Sequence, residues 1–254
     1  MNGILLALQF FTAIPVKKEL PLGRKEVTAM YVALPFVGAA IGLVMYAVSV
    51  LLLINLHTGT LLAAVFVVLT AIFLTGGLHL DGWADAGDAF FSYKDRAKRL
   101  EILDDPRLGA FGTMALVLLL IVKIALLNEI LMRGTASLVF FIMIPLLARA
   151  GMNVYFTTVG LAKDKGIAHF FKEKMDMKFV VVLSLSTTVL ALVILGFIVE
   201  SVFIPITLFG VLAVALYIYR RWSIRHFGGV SGDLCGAFIE GMEAVLWLTV
   251  LFFI

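Results

Sequence analysis

Asp81, Asp85 and Asp88 stand at i, i+4 and i+7 in the stretch Gly76-Gly77-Leu78-His79-Leu80-Asp81-Gly82-Trp83-Ala84-Asp85-Ala86-Gly87-Asp88. On a helix they fall within about 60° of one face and span roughly 10 Å along its axis. Like charges this close destabilise a helix unless something compensates them. No lysine or arginine lies within the motif, and the nearest, Lys94 and Arg96, follow it. Mg²⁺ suits such a set, because it takes carboxylate oxygens and completes its shell with water and substrate phosphate. The plainer alternative is a solvated acidic face favoured by a helix N-terminus. His79 lies roughly opposite the aspartates on such a helix. It fits a catalytic part or a hydrogen-bonded structural one equally.

Two further constellations carry similar chemistry. The first is Arg99-Leu100-Glu101-Ile102-Leu103-Asp104-Asp105-Pro106-Arg107-Leu108-Gly109-Ala110-Phe111-Gly112. Its proline and glycines make a turn, and Arg107 offers the planar fork that suits a phosphate. Asp104 and Asp105 read either as site carboxylates or as N-caps of the next helix. The second is Phe227-Gly228-Gly229-Val230-Ser231-Gly232-Asp233-Leu234-Cys235-Gly236-Ala237, followed by Glu240 and Glu243. Gly228, Gly229, Gly232 and Gly236 would let backbone approach a ligand, and N–H groups at a helix start favour phosphate. The stretch is not a Walker A loop, since no Gly-Lys-Ser/Thr ending follows. Packing explains the glycines as well. A carboxylate deep in a span costs about 2.5–3.5 kcal/mol, so Glu243 reads equally as a catalytic group or as one that snorkels or pairs with a buried Lys/Arg.

The elements that position these residues are membrane helices. Of 254 residues, 62% are apolar and 15% charged, against roughly 25% charged in soluble domains. Mean hydropathy is +1.09. Seven stretches are apolar enough to cross a bilayer: Met30–Ile54, Leu61–Leu78, Phe111–Met132, Ser137–Val159, Phe179–Val199, Phe203–Tyr219 and Ala237–Ile254. Gly3–Val16 is too short to cross and reads as an interfacial or re-entrant helix rather than a cleaved signal. With 15–29 cytoplasmic, alternation puts 79–110, 160–178 and 220–236 on the same side, and these four hold 17 of the 20 lysines and arginines. That bias sets the orientation. All three acidic motifs then face the cytoplasm, and the C-terminus lies opposite. The expected architecture is an all-α polytopic bundle in one domain, 1–254. A net charge of +3 gives no ground for nucleic acid, and the single Cys235 excludes an intrachain disulfide.

These motifs together resemble the cobalamin synthase family, adenosylcobinamide-GDP ribazoletransferase. The resemblance lies in His79–Asp88, Asp105–Gly112 and Gly228–Ala237, with Leu8-Gln9-Phe10-Phe11-Thr12-Ala13-Ile14-Pro15-Val16 and Leu34-Pro35-Phe36-Val37-Gly38 in the same order along nearly the whole chain. Ala13 stands where an arginine is common, Pro106 where a serine is common, and Val230-Ser231 where a threonine often precedes the glycine. The resemblance implies a Mg²⁺-dependent reaction in a cell membrane. GDP-activated adenosylcobinamide would condense with α-ribazole or its 5′-phosphate, giving adenosylcobalamin or its phosphate plus GMP. Asp81, Asp85 and Asp88 would hold the metal. Asp105 or Asp233 would complete the site or accept a proton, and Arg107 would steady phosphate charge. The expected partners are these substrates and membrane lipid, with homo-oligomerisation left open. A CDP-alcohol phosphotransferase is disfavoured, because no arginine follows Asp81-Gly82 in the register that family uses. An ion-coupled transporter working through Lys123, Glu129, Arg149 and Glu200 is disfavoured by the absence of an internal repeat.

Overall fold

The computed structural model describes residues 2–134 and 137–253. Eleven helices follow one another among them: α1 Asn2–Phe11, α2 Arg24–Val50, α3 Thr60–Thr75, α4 Leu78–Ser92, α5 Arg96–Ile102, α6 Ala110–Met132, α7 Leu138–Thr158, α8 Ile167–Lys174, α9 Met177–Ile198, α10 Phe203–Phe227 and α11 Gly232–Leu251. A π-helical turn, Leu51–Asn55, prolongs α2. Six helices (α2 with its extension, α6, α7, α9, α10 and α11) are long and apolar enough to cross a membrane, or seven if α3 and α4 share one crossing. The all-α polytopic bundle is therefore the observed architecture. Helix α1 has ten residues, about 15 Å, and rests on α2 through buried Leu6 and Ala7.

The second expected span is corrected. It ends at Thr75 rather than Leu78, and the aspartate motif forms a separate helix, α4, with the three aspartates on the helix the spacing suggested. The cause is local: Gly76 and Gly77 both take positive φ, 63° and 75°, a conformation costly for any residue with a Cβ. Two such residues in succession turn the chain, and α4 leaves α3 at 95°. The last span starts at Gly232, five residues before the expected Ala237, because the Ser231 side chain accepts from Leu234 N and caps the helix there. Its expected last residue, Ile254, lies outside the described residues.

Helices α7 and α11 form the centre of the bundle. In their most apolar windows 83% and 72% of residues are buried, against 22% in α6 and 17% in α10. Gly38 and Gly42 of α2 lie against the Pro145 and Phe141 carbonyls of α7, and a Cβ at either would overlap them. This is the small-xxx-small close approach of membrane helices.

Across this centre runs a buried ionic cluster. Lys123 of α6 pairs with Glu240 and, at 2.9 Å, with Glu243, both on α11; Arg149 of α7 pairs with Glu243 at 2.9 Å and donates to the Pro145 carbonyl at 3.1 Å. Two cations face two anions, so of the readings open for Glu243 the structure shows pairing, with Lys123 and Arg149. Breaking one buried pair leaves a charge uncompensated in low dielectric, at about 3–5 kcal/mol. Lys123→Met should lower the unfolding midpoint in detergent by that order, and adding Glu240→Met should recover most of the loss. An unchanged midpoint in Lys123→Met would show that the cluster does not hold these helices.

Candidate active site on helix α4

Helix α4 wedges between α6 and α11. Gly82 lies directly on the Asp233 backbone, and Gly236 lies on the backbone of His79, 3.1 Å from where a Cβ would stand. The Trp83 indole N–H donates to the Ala115 carbonyl at 2.9 Å. These contacts fix the rotation of α4 about its axis. Asp81 is left exposed, and Asp85, Asp88 and Asp233 half-buried. The negative charges of Asp81, Asp233 and Asp88 all bear on Asp85. Among the described residues no ion pair reaches any of these four carboxylates. The nearest compensation is Lys163, whose charge acts on Asp233. Asp88 has a second duty. Its Oδ1 accepts from Gly112 N at 3.2 Å, satisfying a donor in the first turn of α6, whose N-cap Gly109 offers no side chain.

The Asp105 motif sits apart. Arg107 grips Asp105 as a fork, with Nε and one terminal nitrogen at 2.9 and 2.7 Å. Those bonds pull the Asp105 carboxyl down to about 2. Asp104 pairs with Lys163 at 2.7 Å. Neither aspartate caps α6, so that expectation is corrected: the cap comes from Asp88, 24 residues earlier.

The glycine stretch is a braced turn. Gly228 ends α10 with φ 81°, under the guanidinium of Arg96, which donates to the Phe227 carbonyl at 3.1 Å. Gly229 lies on the backbone of Gly160 and Leu161. Beside it, Val230 N donates to the Gly160 carbonyl at 2.8 Å and Ala162 N to the Val230 carbonyl at 2.9 Å. Of the four glycines, Gly228, Gly229 and Gly236 serve turn or packing, and only Gly232 faces open space.

Beside these elements a cavity of about 350 Å³ opens. Asp81, Asp104, Lys163, Lys165 and Asp233 line it with a wall of Phe10, Phe11, Tyr31, Phe156 and Phe171. His79 also lines it, and Asp105 and Arg107 do not. Buried to 3% exposure, His79 has no hydrogen-bond partner at either ring nitrogen among the described residues.

The family model described as cobalamin-5-phosphate synthase matches residues 3–251. The chain belongs to that family. Curated relatives agree. The adenosylcobinamide-GDP ribazoletransferase of Geobacillus thermodenitrificans is 36% identical, over 97% of this chain and 94% of its own length. The protein of the same name from Klebsiella pneumoniae is 33% identical over 99% of this chain and all of its own. No solved structure matches. A cobalamin-5-phosphate synthase family member is a transferase of cobalamin biosynthesis, so the transporter and lipid-enzyme alternatives fall away.

Within this cobalamin-5-phosphate synthase family fold, the helix-capping duty of Asp88 separates from any ligand duty by substitution. Asp88→Ala should destabilise the protein by about 0.5–2 kcal/mol, the usual worth of a lost N-terminal cap. Asp88→Asn keeps an acceptor and should unfold like the wild type. Equal midpoints for wild type and both variants in thermal unfolding would remove the capping role.

Proposed function

We propose that the chain joins GDP-activated adenosylcobinamide to α-ribazole, or to its 5′-phosphate, releasing GMP. The observation that carries this reading is the gathering of Asp81, Asp85, Asp88 and Asp233, with Asp81 and Asp233 lining the cavity and no ion pair to any of the four among the described residues. Four carboxylates so placed repel one another and want a cation that a pyrophosphate substrate also needs.

Mg²⁺ fits the donor set in one particular way. Among the described residues no three of His, Cys, Asp or Glu are grouped tightly enough to enclose an ion. Mg²⁺ needs no such cage, since it is commonly bound through one or two carboxylates, water and substrate phosphate. Asp81 and Asp85 are the proposed ligands, with Asp88 offering the oxygen not engaged by Gly112. When bound, the ion would neutralise charge on the pyrophosphate.

The chain's own residues supply position and proton transfer. A ribose hydroxyl oxygen forms a new bond to the cobinamide-linked phosphorus as that phosphorus releases the GMP oxygen. Asp233, which lines the cavity beside Asp81, would take the hydroxyl proton. Such phosphoryl transfers depend on positioning and electrostatics above covalent help. The lysine and arginine distribution supports a site on the cytoplasmic face of the cell membrane, with lipid around the bundle.

Detergent-purified protein given GDP-cobinamide and α-ribazole should form GMP and cobalamin only with Mg²⁺ present. Asp81→Asn and Asp85→Asn should each cut turnover at least about a hundredfold while the protein elutes as a folded species. Substantial turnover by either variant at saturating Mg²⁺ would refute the metal assignment.

A further inference from the structure

Away from the aspartates, on the outer surface of the bundle, a groove of about 960 Å³ runs where α1, α2 and α9 meet. Small residues form its floor, Gly3 of α1 with Ala29, Ala33 and Ala40 of α2. Ile4, Phe36 and Phe179 form its rims, and they are 58%, 55% and 53% exposed. The groove therefore opens outward. Its α2 lining begins at Arg24 and ends at Ala40, about 24 Å of helix at 1.5 Å per residue. Helix α2 is one of the spans, so the groove reaches well into a hydrocarbon layer about 30 Å thick.

Its two ends differ in chemistry. Arg24, Lys25 and Asp176 stand where α2 and α9 begin, and beyond them only Thr28 interrupts an apolar lining. That end is cytoplasmic in the proposed orientation. Asp176 is already committed. One of its oxygens accepts from Phe179 N at 3.1 Å and the other from a terminal nitrogen of Arg24 at 3.0 Å. Its own N–H donates to the Thr28 hydroxyl at 2.9 Å. The Arg24 side chain is 71% exposed and uses one nitrogen in that pair. Lys25 is exposed and has no ion pair among the described residues. Two cations against one anion leave the mouth of the groove positive.

A free anion would use the cations and leave the apolar length empty. An apolar helix of another chain would use the length and leave the cations unmatched. A phospholipid uses both. A zwitterionic head group would add an ammonium beside Arg24 and Lys25, with Asp176 engaged on both oxygens, so net charge favours an anionic one. A second groove, of about 600 Å³ between α9 and α10, is also apolar, but its one charged lining residue is Glu200. We infer that the α1/α2/α9 groove is a binding site for an anionic glycerophospholipid, its phosphate on Arg24 and Lys25 and one acyl chain along Ala29, Phe36 and Ala40. The site is independent of the proposed transfer reaction.

Native mass spectrometry tests it, with the full chain released from micelles holding equal amounts of phosphatidylglycerol and phosphatidylcholine. Wild type should retain one phosphatidylglycerol in preference to phosphatidylcholine by at least about fivefold, the worth of one basic group at an anionic surface. Lys25→Gln keeps the Arg24–Asp176 pair and should cut that preference about fivefold. Ala40→Trp obstructs the apolar length and should lower retention of phosphatidylglycerol, whereas Val193→Trp, in the α9/α10 groove, should not. Equal retention of the two lipids by wild type would overturn the site, as would an unchanged preference in Lys25→Gln. Equal losses in Ala40→Trp and Val193→Trp would show only surrounding lipid and overturn it too. Displacement by inorganic phosphate would mark a free-anion site instead. If Ala40→Trp does not elute as a folded species, Lys25→Gln, a change at an exposed side chain, decides alone.

Discussion

A chain that surrounds itself with lipid must satisfy its own charges, and here that constraint converges on one cluster. Lys123, Arg149, Glu240 and Glu243 bring two positive and two negative groups together in the middle of the bundle. Each is individually expensive at bilayer depth, and their mutual pairing is possible only when α6, α7 and α11 stand at one spacing and one rotation. Those same helices support everything nearer the aspartates. Helix α4 leans on α6 and α11, and α7 contributes Met152 and Phe156 to the cavity wall. The cluster sets the register on which the site is built, although none of its members belongs to the site.

The second constraint is how an acidic helix is admitted to an apolar bundle at all. A straight continuation of α3 would carry Asp81, Asp85 and Asp88 along the crossing itself. The two positive-φ glycines redirect the chain by 95°, so that α4 runs against α11 with its aspartates on the less buried side. Close contact then needs a helix face without side chains, and Gly82 and Gly236 provide it on the two partners. Asp233 is thereby drawn to the α4 aspartates from more than 140 residues away in sequence. Compaction here concentrates negative charge, and the stability forfeited is the usual mark of a site shaped for a ligand.

Much of this was legible in the residues themselves. The spans follow from hydropathy, and pairing was one of the readings that the cost of an unpartnered carboxylate in lipid left open for Glu243. The i, i+4, i+7 spacing gave the aspartate face of α4. Other features depended on tertiary contact and left no local pattern. Asp88 caps α6 because α4 lies across its start, and a cap supplied from 24 residues upstream cannot be told from an N-cap by spacing. Asp105 and Arg107 satisfy each other across two residues, so a motif read as open chemistry is locally closed. The aromatic wall is drawn from α1, α2, α7 and α8. Phe10, Phe11, Tyr31 and Phe156 lie in apolar stretches and Phe171 in the charged helix Ile167–Lys174, and only the fold distinguishes them from their neighbours.

The arrangement also bears on why such chemistry sits in a membrane bundle. Charge and apolar wall meet here within one cavity: carboxylates and lysines at the exposed end, stacked aromatics at the buried end. In a small soluble domain the aromatic wall would compete with the core for the same apolar residues. A bundle in lipid has no such competition, because lipid already covers its outer faces and its centre can be given to polar pairs and ligand walls. The gathering of Asp81, Asp85, Asp88 and Asp233 is then the consequence of one placement, that of α4 against α11.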